Sequence, residues 1–134
     1  MLFGDAHVEA YRETDGAEGY DWQGGTHIIL LTTTGHRSGE QRTVPLIFGR
    51  DGDDYLIVAS KGGADEPPAW YVNLEADPSI EVQDRGDVFK ATARTADPEE
   101  QARLWPIMTA EWPAYDEYQT KTDRKIPVVI LERA

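Results

Sequence analysis

Between apolar runs at residues 28–31 and 44–48, the chain places Thr32-Thr33-Thr34-Gly35-His36-Arg37-Ser38-Gly39-Glu40-Gln41-Arg42-Thr43. Hydroxyls, two glycines and two arginines share this connection with one acid, in a chain whose formal net charge is −12. A basic turn on an acidic body is suited to hold an anion, because the local field must oppose the global one. A polar hairpin with incidental arginines has the same composition, since Gly and Ser also mark ordinary turns. A second segment of this kind is Ala59-Ser60-Lys61-Gly62-Gly63-Ala64, running on through Pro67-Pro68 to Trp70-Tyr71. Its glycines let a backbone come close to a ligand and donate amides, and Lys61 supplies charge. If the two segments emerge at one end of a sheet, Arg37, Arg42 and Lys61 form one cationic mouth whose guanidinium forks suit phosphate or carboxylate oxygens. Three solvated surface charges are the alternative.

The elements that must position these residues follow from local patterning. Residues 26–33 are β-branched and aliphatic, residues 40–50 form a second strand, and Asp51-Gly52 turns the chain into a third at 55–60. These three are expected to run as an antiparallel meander, which puts the 34–41 connection and the 60–68 loop at the same end. Pro67-Pro68 opens a short helix at 69–76, because proline suits a first helical turn. Strands at 79–83 and 88–95 flank an Asp84-Arg85-Gly86-Asp87 hairpin, and a sixth strand is expected at 126–131. Asp97-Pro98-Glu99-Glu100 starts a helix that carries Leu104, Trp105, Ile107 and Met108 inward, and Pro106 and Pro113 are expected to break that region into pieces. Residues 6–14 read as a helix capped by Asp5. The expected fold is α+β and mainly β: a six-stranded, mostly antiparallel split β-barrel with flanking short helices. Residues 1–134 form a single domain, in which 1–20 are a helical lid or an extension.

Composition narrows the chemistry. The chain has no cysteine, so disulfides, thiolate nucleophiles and thiolate metal sites are excluded. His7, His27 and His36 form no metal-ligand spacing, and no metal is expected. With 25 acids against 13 Lys and Arg, a nucleic-acid partner is disfavoured, because phosphate backbones demand excess cations. No apolar run is long enough for an integral membrane segment and no leader pattern is visible, so the cytoplasm is the expected compartment. Gly-x-Gly-x-x-Gly, Gly-x-x-x-x-Gly-Lys and Gly-x-Ser-x-Gly are missing, which disfavours a Rossmann site, a P-loop and a hydrolase. Trp70, Tyr71, Trp105, Trp112, Tyr115 and Tyr118 gather near the helical regions, where a planar ligand can stack on them.

Several separated motifs, taken in order, resemble one family. Leu31-Thr32-Thr33-Thr34-Gly35-His36-Arg37-Ser38-Gly39, Pro45-Leu46, Ala59-Ser60-Lys61-Gly62-Gly63-Ala64 and Trp70-Tyr71-Val72-Asn73-Leu74 are similar to the deazaflavin-dependent nitroreductases, split-barrel flavin/deazaflavin oxidoreductases of actinobacteria. Trp105-Pro106, Tyr115, Tyr118, Thr122-Asp123-Arg124 and Ile126-Pro127-Val128 extend the likeness over residues 20–133. The resemblance implies coenzyme F420, a deazaflavin with a polyanionic phosphate and oligoglutamate tail. Carried over by motif, His36, Arg37, Ser38 and Arg42 with Lys61 meet the phosphate or the tail. Val44, Pro45 and the Ala59–Gly62 backbone (Ala59, Ser60, Lys61, Gly62) border the ring system, and Trp70 stands at the entrance to the short helix. Tyr115 flanks the substrate side with Tyr118 behind it. Three positions depart from the family pattern: His36 replaces the first of a basic pair, Ile47 replaces a tyrosine after Pro-Leu, and Trp112 replaces a tyrosine. The family's activity toward bulky nitro prodrugs is therefore not carried over to this chain.

The implied function is an F420H2-dependent oxidoreductase that passes a hydride to a small electrophile: a quinone, an activated enone or a nitroaromatic. The protein's part is binding, orientation and polarisation. Ser60 is assigned to the acceptor's oxygen and Tyr115, backed by Tyr118, to the completing proton. A non-catalytic deazaflavin carrier and an FMN-binding split-barrel protein are the alternatives. The expected partners are the small-molecule acceptor and a second copy of the chain in a homodimer.

Overall fold

Phe48 turns what the sequence presents as one long strand into a corner. In the computed structural model, which describes residues 2–134, β2 (Gln41–Ile47) ends just before it and β3 (Gly49–Asp51) begins just after it. The sheet has seven strands rather than six, in the order β2-β1-β5-β6-β7-β4-β3, with β1 Ile28–Thr34, β4 Asp54–Val58, β5 Ser79–Asp84, β6 Asp87–Thr95 and β7 Val128–Arg133. Every pairing is antiparallel. β2 and β3 lie at opposite ends of this order yet are one residue apart in the chain, so the sheet must curl until its edges meet at the corner. The expected meander is corrected accordingly: β2 pairs with β1 in the register Leu30↔Pro45, whereas only β3 pairs with β4. As an edge strand, β2 tolerates Pro45, whose missing N–H would interrupt an interior ladder. Gly49 fits the bend because a Cβ there would stand 2.7 Å from the Met108 sulfur.

Strand alternation divides the apolar residues between two faces. Ile29, Leu31, Tyr55, Ile57, Val129 and Leu131 point into the barrel, where Trp70 and Leu74 of α2 (Ala69–Ala76) join them. On the outer face, Leu56, Val58, Val128 and Ile130 meet Leu104 and Met108 of α3 (Pro98–Glu111) and Tyr115 of α4 (Ala114–Thr120). Ile28 and Leu30 instead meet Val8 and Tyr11 of α1 (Gly4–Thr14). β1 therefore reads as a continuous apolar run because both its faces are covered.

Local corrections have local causes. Asp5 does not cap α1; Phe3 occupies that position, and the helix begins with the positive-φ Gly4. Pro106 does not divide α3, which runs through it to Glu111, because Leu104 and Met108 on either side are fully buried against the sheet. The break falls at Trp112-Pro113, and Trp105 and Ile107 are only partly buried. The start of α3 is as expected: Asp97 accepts from the Glu100 amide at 2.8 Å and Glu100 accepts from the Asp97 amide at 3.1 Å.

Candidate functional site

Two loops at one end of the barrel and α2 between them define two adjoining cavities. The β1–β2 turn closes on itself through Gly35 N–H to the Glu40 carbonyl at 2.7 Å and Gly39 N–H to the Gly35 carbonyl at 2.9 Å. After β4, the chain makes a tight turn in which Lys61, Gly62 and Gly63 take φ of 46, 63 and 86°. Gly63 is needed there, since a Cβ would lie 2.6 Å from the Tyr118 carbonyl oxygen. This close approach sets α4 against the loop.

The first cavity, of about 400 Å³, is walled by Pro45, Leu46 and Ile47 of β2, by Ser60, Lys61 and Gly62, and by Trp70, Tyr115 and Tyr118. Ile28, Val58, Phe3, Trp22 and Trp112 make the remainder largely apolar. The second, of about 430 Å³, is lined by Thr33, Gly35, His36, Arg37, Ser38, Arg42, Val44 and Asn73. Trp70 contributes to both, so the cavities share a wall. Among the described residues, no Asp or Glu lines either one.

The cations anticipated as one mouth are thereby divided. Arg37, Arg42 and His36 belong to the second cavity and Lys61 to the first. Arg42 lies 3.3 Å from Glu40 with both side chains exposed, and Lys61 lies 3.9 Å from Glu66, whereas Arg37 has no ion-pair partner among the described residues. Buried Asn73 organises this edge. Its Oδ1 accepts from the His36 backbone amide at 3.1 Å and contacts His36 Nδ1 at 2.8 Å, and its Nδ2 donates to Thr33 Oγ1 at 3.1 Å. Because Oδ1 can only accept, Nδ1 carries the proton and Nε2 is left to serve a ligand.

Ala59 is fully buried in the barrel core and lines neither cavity, so only its backbone belongs to the loop. Ser60 is nearly buried, and its hydroxyl has no hydrogen-bond partner among the described residues. Tyr115 is also buried, with its ring against Trp105 and Tyr118. Burial, reinforced by repulsion from Tyr118, pushes its ionisation well above the ordinary tyrosine range. Its phenol therefore stays protonated at neutral and moderately alkaline pH. The Tyr118 hydroxyl lies 3.4 Å from Trp112 Nε1, which donates to it.

Residues at the start of the chain were not among the expected site residues, yet Phe3, Gly4, His7 and Trp22 complete the first cavity. His7 is buried with Nε2 2.8 Å from the Gly19 carbonyl, and Trp22 packs on Trp112 with ring centroids 6.0 Å apart. The aromatic spacing around residue 112 is visible in the sequence; the packing of Trp22 against Trp112 is not. Asn73 falls inside the Trp70-Tyr71-Val72-Asn73-Leu74 motif, where nothing in the sequence gives it a role.

A family model described as F420H(2)-dependent quinone reductase matches residues 5–133. An F420H(2)-dependent quinone reductase of Mycobacterium tuberculosis strain H37Rv is 43% identical over 130 residues, 95% of this chain and 87% of that protein. A solved F420-H2 dependent reductase, FDR-A, is 47% identical with a TM-score of 0.73, over 78% of this chain and 93% of that one. A solved domain-swapped dimer is 42% identical with a TM-score of 0.76, over 93% of this chain and 96% of that one.

Proposed function

The chain belongs to the F420H(2)-dependent quinone reductase family, and on that premise we propose how its two cavities divide the work. It is an oxidoreductase whose cofactor is coenzyme F420 and which reduces quinones. One observation carries the assignment of the site. In a chain of net charge −12, an apolar cavity and a cationic one meet at Trp70, and no carboxylate among the described residues lines either. A flat ring joined to a polyanionic tail needs that pair of environments side by side.

In this reading Arg37 and Arg42 hold the phosphate and tail, Ser38 donates its hydroxyl, and His36, fixed by Asn73, lines the same cavity and leaves Nε2 to accept from a ligand N–H or O–H. Pro45, Val44, Gly62 and Trp70 would border the ring where the cavities join, and Lys61 would supply a cation on the side of the first cavity. Bound F420H2 supplies a hydride equivalent, and a quinone takes it up with one proton to give the hydroquinone. Ser60, whose hydroxyl is free to donate, orients the acceptor carbonyl and stabilises the charge that develops on its oxygen. Tyr115 holds a proton at its hydroxyl for delivery to that oxygen, and Tyr118 orients it. Phe3, Trp22 and Trp112 exclude water above the acceptor, which strengthens each of these interactions.

The first cavity draws on residues from Phe3 to Tyr118 and shares Trp70 with the second, so the chain works as one cofactor-binding unit. A second copy of the chain is the expected protein partner; a 42% identical structure is a domain-swapped dimer. No helix among the described residues is long and apolar enough to cross a membrane, and the expected site of action is the cytoplasm.

Titration of the cofactor-free protein with F420 and with FMN tests this reading, followed by stopped-flow mixing of the reduced F420 complex with menadione. Saturable F420 binding, weaker FMN binding and oxidation faster than the protein-free control are expected. Preference for FMN, or tight F420 binding without acceleration, would replace it with the flavin-protein or carrier alternative.

A further inference from the structure

Arg124 lies in the segment between α4 and β7 and touches neither of the two cavities described above. Its guanidinium donates from Nε to the Ala64 carbonyl at 2.8 Å, from Nη1 to the Ala59 carbonyl at 3.1 Å and from Nη2 to the Ser60 carbonyl at 2.8 Å. No carboxylate pairs with it among the described residues. All three contacts go to backbone oxygens that bracket Lys61, a non-glycine residue at φ 46°, a conformation that persists only where its surroundings impose it.

The arginine is itself anchored. Gln119 of α4 donates to the Arg124 carbonyl at 2.8 Å and accepts from the Ile126 amide at 2.9 Å. Thr122 donates to Asp65 at 2.7 Å and accepts from the Arg124 amide at 3.3 Å. Ser60, Lys61 and Gly62 form one wall of the first cavity, and α4 supplies Tyr115 and Tyr118 to another. Arg124 and Gln119 join the two walls by a continuous set of hydrogen bonds.

We infer that Arg124 is a positioning residue for the reductase reaction: it fixes the strained Ser60–Gly63 turn at a set distance from the α4 tyrosines. The inference rests on the placement of the acceptor in that cavity. A lysine cannot replace it, because one ammonium cannot reach three carbonyls that a planar fork spans. The charge also matters, since it strengthens each bond and sits unneutralised behind the Ser60 backbone. Arg124 borders a separate solvent-facing hollow with Tyr71, Gln101 and Lys125, which gives a free guanidinium ion a route to the vacated position in a truncated variant.

The test uses Arg124→Ala and Arg124→Lys in the full chain. In the cofactor-free protein, amide hydrogen exchange at Gly63 and Ala64, whose N–H groups close the turn onto Ser60 and Lys61, is expected to accelerate in both variants while β1 and β5 keep their protection. With F420H2 and menadione, kcat of Arg124→Ala is expected to fall on the order of 100-fold, as for other misplacements of about 1 Å, with KM changed by less than about threefold. Guanidinium ions should restore part of that kcat in Arg124→Ala and none in Arg124→Lys. Unchanged exchange at Gly63 and Ala64 overturns the clamp. Faster exchange with undiminished kcat, or parallel loss of kcat and KM without rescue, overturns the positioning role. If wild type neither binds F420 nor accelerates menadione reduction, the proposed function fails instead, while the exchange measurement still decides the clamp. Should Arg124→Ala fail to fold, Arg124→Lys and Gln119→Ala are read by the same exchange and kcat criteria.

Discussion

Replacing Gly63 with alanine should damage stability and catalysis together, for a reason that can be worked from the geometry. The residue is buried at φ 86°, and an added Cβ would stand 2.6 Å from the Tyr118 carbonyl oxygen, 3.0 Å from Tyr118 Cα and 3.1 Å from Lys121 Cβ. Two of those three atoms are backbone, so no rotamer change relieves the contact. The left-handed conformation costs about 1–2 kcal/mol for an L side chain, and overlap in a packed region adds about 1–3 kcal/mol. The sum is about 2–5 kcal/mol. Gly62→Ala is the internal control: its φ is 63°, but nothing lies within 4 Å of its Cβ position, so only the conformational cost of about 1–2 kcal/mol applies. Urea unfolding followed by tryptophan fluorescence measures both. Relief of the overlap pushes α4 away from the loop and carries Tyr115 and Tyr118 from Ser60, so kcat for quinone reduction should also fall further in Gly63→Ala than in Gly62→Ala. Equal unfolding midpoints for the two variants would refute the close approach, and with it the account of how the loop and α4 are held in register.

The two arginines of the second cavity should differ in importance. Arg37→Ala removes a cation with no ion-pair partner among the described residues and is expected to weaken F420 binding by roughly tenfold, the scale of one charge-assisted hydrogen bond; Arg42→Ala, already partly neutralised by Glu40, should cost less. Fluorescence titrations at low and high salt check this, and both losses should shrink as salt rises. Tyr115→Phe should lower kcat with little change in F420 affinity, and the wild-type pH profile should show no alkaline loss in the ordinary tyrosine range, because burial raises Tyr115 above it. Glu100 is held down to about 2, first by Arg94 and then by the Asp97 amide. A lowered carboxylate stabilises the fold above its ordinary value, near 4.3, and that contribution disappears as pH falls toward about 2. Glu100→Gln should therefore lower the thermal midpoint at neutral pH and match wild type near pH 2.

Much of this protein is legible because its signals are local. The Asp97 capping box, the Asp51-Gly52 and Arg85-Gly86 turns and the helix at 69–76 depend on residues within a few positions of one another, and the structure contains each of them. The ordered motifs at residues 31–39, 59–64 and 70–74 were enough to indicate the family. Local preference gives way where distant packing overrides it. Pro106 sits inside a helix because Leu104 and Met108 are buried against the sheet, and Phe48 ends a strand because the barrel must close there.

Residue types and their order thus indicated most of the strands and helices, the glycine-bearing turns of two loops and, through the family resemblance, the class of cofactor. Only tertiary structure decided that Lys61 parts from Arg37 and Arg42 across Trp70, that α1 closes the apolar cavity, and that Arg124 grips a loop some sixty residues before it. Backbone propensities and charge are read from neighbours along the chain, whereas a shared wall or a three-carbonyl grip exists only once the sheet has curled and brought distant segments within hydrogen-bonding range.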